Sequence, residues 1–229
     1  MAAELRGEGF EVAVDARHGP PAAEVLRAAV ESGASLVLVG SRSRSRLHEA
    51  FIGSVALGVL ERSTLPVLLQ PIDAAPDGEE PRPRVLCCHL RSRIVLATDF
   101  SGAAGPAEAT VEALVRFGAC RAALLHVLEG GEGGDPARRE EAWLRVDALA
   151  SRLREAGATE GDTLVVSGDP AGAIAAAAAA DPDTLVVMGT QGMKPNPHGT
   201  HDPRLTPDRP PYGGGAKLAF TGDTRCALP

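Results

Sequence analysis

The stretch GPPAAEVLRAAVESGASLVLVG at residues 19–40 returns, without a gap, as GDPAGAIAAAAAADPDTLVVMG at residues 168–189. Gly19, Pro21, Ala22, Val25, Ala28, Ala29, Leu36, Val37 and Gly40 line up with Gly168, Pro170, Ala171, Ile174, Ala177, Ala178, Leu185, Val186 and Gly189, at a constant offset of 149 residues. Solenoid repeats recur every roughly 20 to 50 residues, so this spacing marks a duplicated small domain instead. Each copy reads as a Gly-Pro or Gly-Asp-Pro turn, an Ala-rich helix, a polar break, a short apolar strand and a closing glycine. Pro21 and Pro170 suit a first helical turn, where a missing amide donor costs nothing, and Asp169 can cap its helix. Leu36 to Val39 and Leu185 to Met188 are short unbroken apolar runs, the pattern of parallel strands buried on both faces.

Working outward from the second copy, Arg93 to Thr98 reads as a strand, Ala103 to Phe117 as a helix and Ala122 to Leu128 as a second strand. The glycines of Gly130 to Gly134 form a loop. Pro136 to Ala156 is an amphipathic helix that buries Trp143, Val146 and Leu153 on one side. Thr163 to Val166 is the third strand. This alternation predicts a parallel, right-handed α/β sheet of Rossmann-like type in two tandem copies.

Both copies read as incomplete. The first, residues 1–71, opens on a helix tail at Ala3 to Gly7, places its third strand at Phe10 to Val14, and has no first or second strand before it. Residues 72–91, rich in Pro, Asp, Glu and Gly, read as a linker. The second copy, residues 92–193, gives way to a tail at 194–229 with Pro195, Pro197, Pro203, Pro207, Pro210 and Pro211, in which no helix or core strand is expected. The two partial copies could complement one another, which would bring Gly53 and Ser54 near Asp99.

Composition bounds the function. Of 229 residues, 44% are hydrophobic but only 3% aromatic, so the core is aliphatic and suits helix-on-sheet packing. The net charge of -7 opposes any general attraction to nucleic acid or anionic lipid, so an anion site must be local. Met1 to Phe10 has no signal-peptide character and no apolar run is long enough to span a bilayer, so a soluble cytoplasmic protein is expected. Cys87, Cys88, Cys120 and Cys226 lack CxxC spacing and read as free thiols, with oxidant sensing by the Cys87-Cys88 pair as the alternative. His18, His48, His89, His198 and His201 have no metal-ligand spacing, and His126 reads as a packing residue at a strand end.

In open parallel sheets ligands sit beyond the carboxyl ends of the strands, where glycine turns and helix N-termini present amides to phosphate. The first copy has such a turn: Gly40, two residues, Ser43, nine residues, then Gly53 and Ser54. This resembles the Gly-x2-Gly-x9-Gly-Ser/Thr signature of the universal stress protein family, an adenine nucleotide alpha hydrolase-like fold, with Ser43 in place of the second glycine. Ala97-Thr98-Asp99-Phe100-Ser101 resembles that family's first strand and loop, His126-Val127 the end of its second strand, and Gly189-Thr190-Gln191-Gly192 the start of its phosphate loop. At the offset where a final Gly-Ser would fall stand Asp202 and Pro203.

The resemblance implies binding of ATP, with or without Mg2+, at low affinity. Its contacts would be Ala97, Thr98, Asp99, Val127, Gly189, Thr190 and Gly192 in the second copy, and Gly40, Gly53 and Ser54 in the first. It also implies a homodimer, or pairing with another chain of the family, through the last strand, here Pro66 to Leu69. Structural roles stand beside these: Asp99 as a helix cap, and Gly189 and Gly192 as turn glycines; Arg42, Arg44 and Arg46 read equally as a polyphosphate clamp or a solvated loop. No Ser-His-Asp set or Walker motif is present, so a non-enzymatic nucleotide sensor is favoured over an interaction scaffold of the same fold or a weak ATPase.

Overall fold

A computed structural model describes residues 2–42, 52–72, 93–118, 120–128, 135–159, 161–181, 184–189 and 216–220. In chain order the elements are α1 (Ala2–Gly7), α2 (Pro21–Glu31), β1 (Val37–Arg42), α3 (Ser54–Arg62), β2 (Val67–Ile72), β3 (Arg93–Ala97) and α4 (Gly105–Phe117). They continue with β4 (Arg121–Leu128), α5 (Pro136–Glu155), β5 (Thr163–Ser167), α6 (Pro170–Ala179), β6 (Thr184–Gly189) and β7 (Ala216–Phe220). The predicted helices and strands of the repeat therefore form, with α2 aligned to α6 and β1 to β6. Proline opens both helices as expected, and the Asp169 carboxylate caps α6 by accepting from the Gly172 amide at 2.7 Å.

All seven strands share one sheet, in the order β1-β2-β7-β6-β3-β4-β5. Every neighbouring pair is parallel except β6 and β7, so the sheet is mixed rather than wholly parallel. The tail expected to lack any core strand supplies β7, with Val187 opposite Leu218 on one side and Leu68 opposite Leu218 on the other. An unpaired edge on β6 and another on β2 would each leave a row of open backbone groups, and one strand closes both. Its sequence signal is brief: three glycines, Gly213 to Gly215, followed by Ala-Lys-Leu-Ala-Phe. The expected linker lies outside the described residues except for Ile72, which ends β2.

Alternate residues of a strand face opposite sides, and the core follows that rule. Ile94, Leu96, Leu124, Leu185, Val187 and Leu68 face α4 and α5. Val95, Ala123 and Leu125 face α6 on the other side, while Val37 and Val67 pack with α2 and α3. On α5 the buried stripe is Ala142, Val146, Leu149 and Leu153, at three- and four-residue spacing. Trp143, expected in that stripe, lies one residue and about 100° away from it, and is 42% exposed.

Two further expectations are corrected. Phe10 to Val14 is not a strand; Phe10 and Val14 are exposed, and the Arg6 guanidinium holds the segment by donating to the Val12 carbonyl at 2.7 Å. The third strand of the second copy, β5, pairs with β4; no described strand stands in that relation to residues 10–14. The strand expected to pair with another chain, Pro66 to Leu69, is enclosed as β2 between β1 and β7.

Candidate functional site

The carboxyl end of β3 lies between those of β4 and β6. From β3 the chain moves outward to β4 and β5, then crosses back to β6 on the opposite flank, so the gap between β3 and β6 is the switch point where open α/β sheets bind ligands. Ala97 pairs with Leu125 of β4 and Met188 of β6, and the loop Thr98–Ala104 leaves β3 directly over this gap.

The loop is tightly built. Thr98 is buried; its amide donates to the Leu125 carbonyl at 3.0 Å and its hydroxyl donates to Glu108 Oε1 at 3.1 Å while accepting from the Phe100 amide at 3.0 Å. His126 Nδ1 lies 2.8 Å from the Thr98 carbonyl, to which it donates, and this bond orients the ring. Asp99 is exposed, and its Oδ1 accepts from the Ser101 amide at 2.9 Å, closing an Asx turn. The Ser101 Oγ is buried with no hydrogen-bond partner among the described residues.

Phe100 adopts φ of 56°, in the left-handed region that a bulky side chain rarely occupies. Three contacts hold it there besides the Thr98 hydroxyl. Its ring sits 5.0 Å from that of His126, the Arg145 guanidinium lies 4.6 Å above it, and Arg145 Nη2 donates to its carbonyl at 3.1 Å. These residues were not legible as partners in the sequence, because Arg145 is 45 positions away; only the Asp-Phe-Ser run marks the loop.

Gly189 ends β6 at the same place. A Cβ there would lie 2.5 Å from the Ala103 carbonyl oxygen and 2.9 Å from the Ala104 Cα, so only glycine lets the start of α4 approach β6. Val127 sits on the face packed by α6, opposite Val166 of β5. Thus Ala97, Thr98, Asp99, Val127 and Gly189 gather at adjoining carboxyl ends; Thr190 and Gly192 lie outside the described residues.

Gly40, Gly53 and Ser54 do not join them. β1 and β2 are parallel to β7, β7 is antiparallel to β6, and β6 is parallel to β3. The carboxyl end of β1, and the start of α3 that follows it, therefore lie at the opposite end of the sheet from Asp99. Four strand steps also separate β1 from β3, about 19 Å at ~4.8 Å each. The idea that the partial copies complement one another into a single site fails on this polarity. Gly53 is the N-cap residue of α3 and Ser54 its first residue, exposed.

Burial at the foot of β4 pushes the Cys120 thiol up. It is thereby kept protonated and unreactive. Cys87, Cys88, Cys226, Arg44, Arg46 and the remaining expected histidine positions 48, 89, 198 and 201 lie outside the described residues. Among the described residues no group of three His, Cys, Asp or Glu is placed to hold a metal, and no helix is long and apolar enough to cross a membrane.

Strand order and crossover define an open α/β sheet with a switch point between β3 and β6. Residues 1–71 match the universal stress protein family. Over 52 residues the chain is 50% identical to a universal stress protein of Bacillus subtilis, covering 23% of this chain and 35% of that protein. Over 66 residues it is 33% identical to a universal stress protein of Methanocaldococcus jannaschii, covering 29% of this chain and 41% of that one. The chain thus spans little more than a third of these relatives' lengths. A universal stress protein structure from Archaeoglobus fulgidus shares the fold at a TM-score of 0.53 and 23% identity, over 76% of this chain and 58% of that one. Residues 1–71 are thus similar to universal stress proteins, and the chain shares the α/β fold of the Archaeoglobus fulgidus structure.

Proposed function

We propose that the protein is an adenine-nucleotide sensor of universal stress protein type, acting in the cytoplasm in a stress response and binding ATP, with or without Mg2+, at the carboxyl ends of β3, β4 and β6. The observation that carries this reading is that Asp99 and Gly189 follow closely on the paired strand residues Ala97 and Met188. An exposed carboxylate on a rigid Asx turn stands at the switch point, beside a strand end where a Cβ would strike the Ala103 carbonyl. In this reading Asp99 meets the ribose hydroxyls, Val127 and the Phe100 loop flank the base, and amides beyond Gly189, including those of Thr190 and Gly192, meet the phosphates. The tandem organisation, with a partial copy at 1–71, a linker at 72–91, a second copy at 92–193 and a tail beyond, belongs to the same proposal. Since β2 is enclosed, self-association through a sheet edge would use one of the two described edge strands, β1 or β5.

A scaffold without nucleotide is the second reading, favoured by the Asp99 Oδ1 bond to the Ser101 amide, which gives the carboxylate a structural task. Calorimetric titration with Mg-ATP separates the two. The sensor gives saturable binding that Asp99→Ala weakens at least about tenfold, the scale of losing hydrogen bonds to a charged group. Binding that is absent, or indifferent to Asp99, rejects the sensor.

A further inference from the structure

Three arginines of α4 and α5 spend their charge on carboxylates: Arg116 pairs with Glu112, Arg152 with Glu108 and Glu112, and Arg154 with Asp147. Arg145 does not. Glu141 stands four residues before it, the favoured acid-then-base spacing on a helix. Yet among the described residues no carboxylate pairs with Arg145, and its guanidinium leans instead over the loop that leaves β3, with the Phe100 ring beneath it and the Phe100 carbonyl accepting from Nη2.

Phe100 is the one non-glycine among the described residues with a positive φ. It is also the residue inside the Asx turn: Asp99 Oδ1 accepts from the Ser101 amide across it. Were Phe100 to relax to the negative φ that an L-residue prefers, the Ser101 amide would swing away and the Asp99 carboxylate would lose its direction. Two of the groups that oppose this belong to the sheet, since Thr98 follows β3 and His126 lies on β4. The third comes from α5. A planar guanidinium can cover the ring and reach the carbonyl at once, which a lysine ammonium cannot.

We infer that Arg145 is a positioning residue for the switch-point site: it latches Phe100 in the left-handed conformation and so presets the direction of the Asp99 carboxylate. It acts on the loop and not on the ligand. Arg145 is exposed on α5, so replacing it releases the latch without opening the core. Its consequence for ligand binding rests on the nucleotide reading above, whereas its hold on the loop does not.

The first arm is amide exchange of the full chain without nucleotide. Arg145→Met, which keeps the stem and loses the guanidinium, is expected to speed exchange of the Phe100 and Ser101 amides at least about tenfold while Val186 and Val187 are unchanged. Arg145→Lys should fall between the two. Glycine takes positive φ without strain, so in a Phe100→Gly background Arg145→Met should change Ser101 exchange by under about threefold. The second arm is calorimetry with Mg-ATP, where Arg145→Met should weaken binding at least about fivefold with Phe100 present and under about twofold in the Phe100→Gly background. Phe100 and Ser101 exchange indifferent to Arg145→Met overturns the inference. So does a loss of ATP affinity that is equally large in the Phe100→Gly background, which would mark Arg145 as a direct phosphate contact. No ATP binding by the unsubstituted chain rejects the nucleotide reading alone, and the exchange arm then decides the latch.

Discussion

Leu38 and Val187 hold the same place in two copies of one motif, on strands of the same length, yet one is 57% exposed and the other fully buried. The same holds for Leu36 and Leu185. Local sequence specifies a strand and the faces of its side chains; it does not specify whether anything covers them. Cover comes from β3 and α4, which lie beside β6 and not beside β1. The main core therefore lies around β3, β4 and β6, while β1 is covered on one face by α2 and α3 and paired along one edge with β2.

Substitutions that are chemically identical in the two copies should diverge, and the largest divergence is in the core. Leu185→Ala is expected to cost about 2 to 5 kcal/mol in urea unfolding, the range for truncating a buried leucine. Leu36→Ala should cost under about 1 kcal/mol, since most of its side chain already meets water. Equal costs would mean that the β1 flank is covered.

The glycines give the next contrast. Gly189→Ala forces a methyl against the Ala103 carbonyl and should cost about 1 to 3 kcal/mol, as other overpacked sites do. Gly40→Ala, on an exposed strand end, should be close to neutral in the chain alone. The helix caps differ more gently. Asp169→Ala should lose about 1 kcal/mol with the Gly172 bond, whereas α2 starts at Pro20 with no side-chain cap, so Pro20→Asp should gain several tenths of a kcal/mol.

The smallest effect is chemical. Burial raises the Cys120 thiol, so at pH 8 its alkylation should require opening of the second copy and should be faster in Leu185→Ala but not in Leu36→Ala. Peptide mass mapping of the labelled protein reads this directly.

Much of the fold was legible because periodicity and turn chemistry are local. Pro21 and Pro170 mark helix starts, the apolar runs ending at Gly40 and Gly189 mark strands, and Asp169 announces its cap. What sequence reading missed depends on partners. Phe10 to Val14 has the composition of a strand but no neighbour to pair with among the described residues. β7 hides in a proline-rich tail because its pairing is supplied by the open edges of β6 and β2, and its presence makes one continuous sheet with reversed polarity across β6 and β7. The site shows the same division. Asp99 and Gly189 carry recognisable motifs, whereas Arg145 reaches the Phe100 loop only through the packing of α5, and the separation of Gly53 and Ser54 from Asp99 follows from strand polarity that no motif encodes.

Native-state amide hydrogen exchange of the chain alone, resolved by residue, tests the contrast between the two copies most directly. The account predicts that Val186 and Val187 of β6 exchange only through global unfolding, while Leu38 and Gly40 of β1 exchange orders of magnitude faster, with Val37 protected by its bond to Pro66. Equal protection of Leu38 and Val187 would contradict it, because β1 would then be an interior strand and its open flank would not exist.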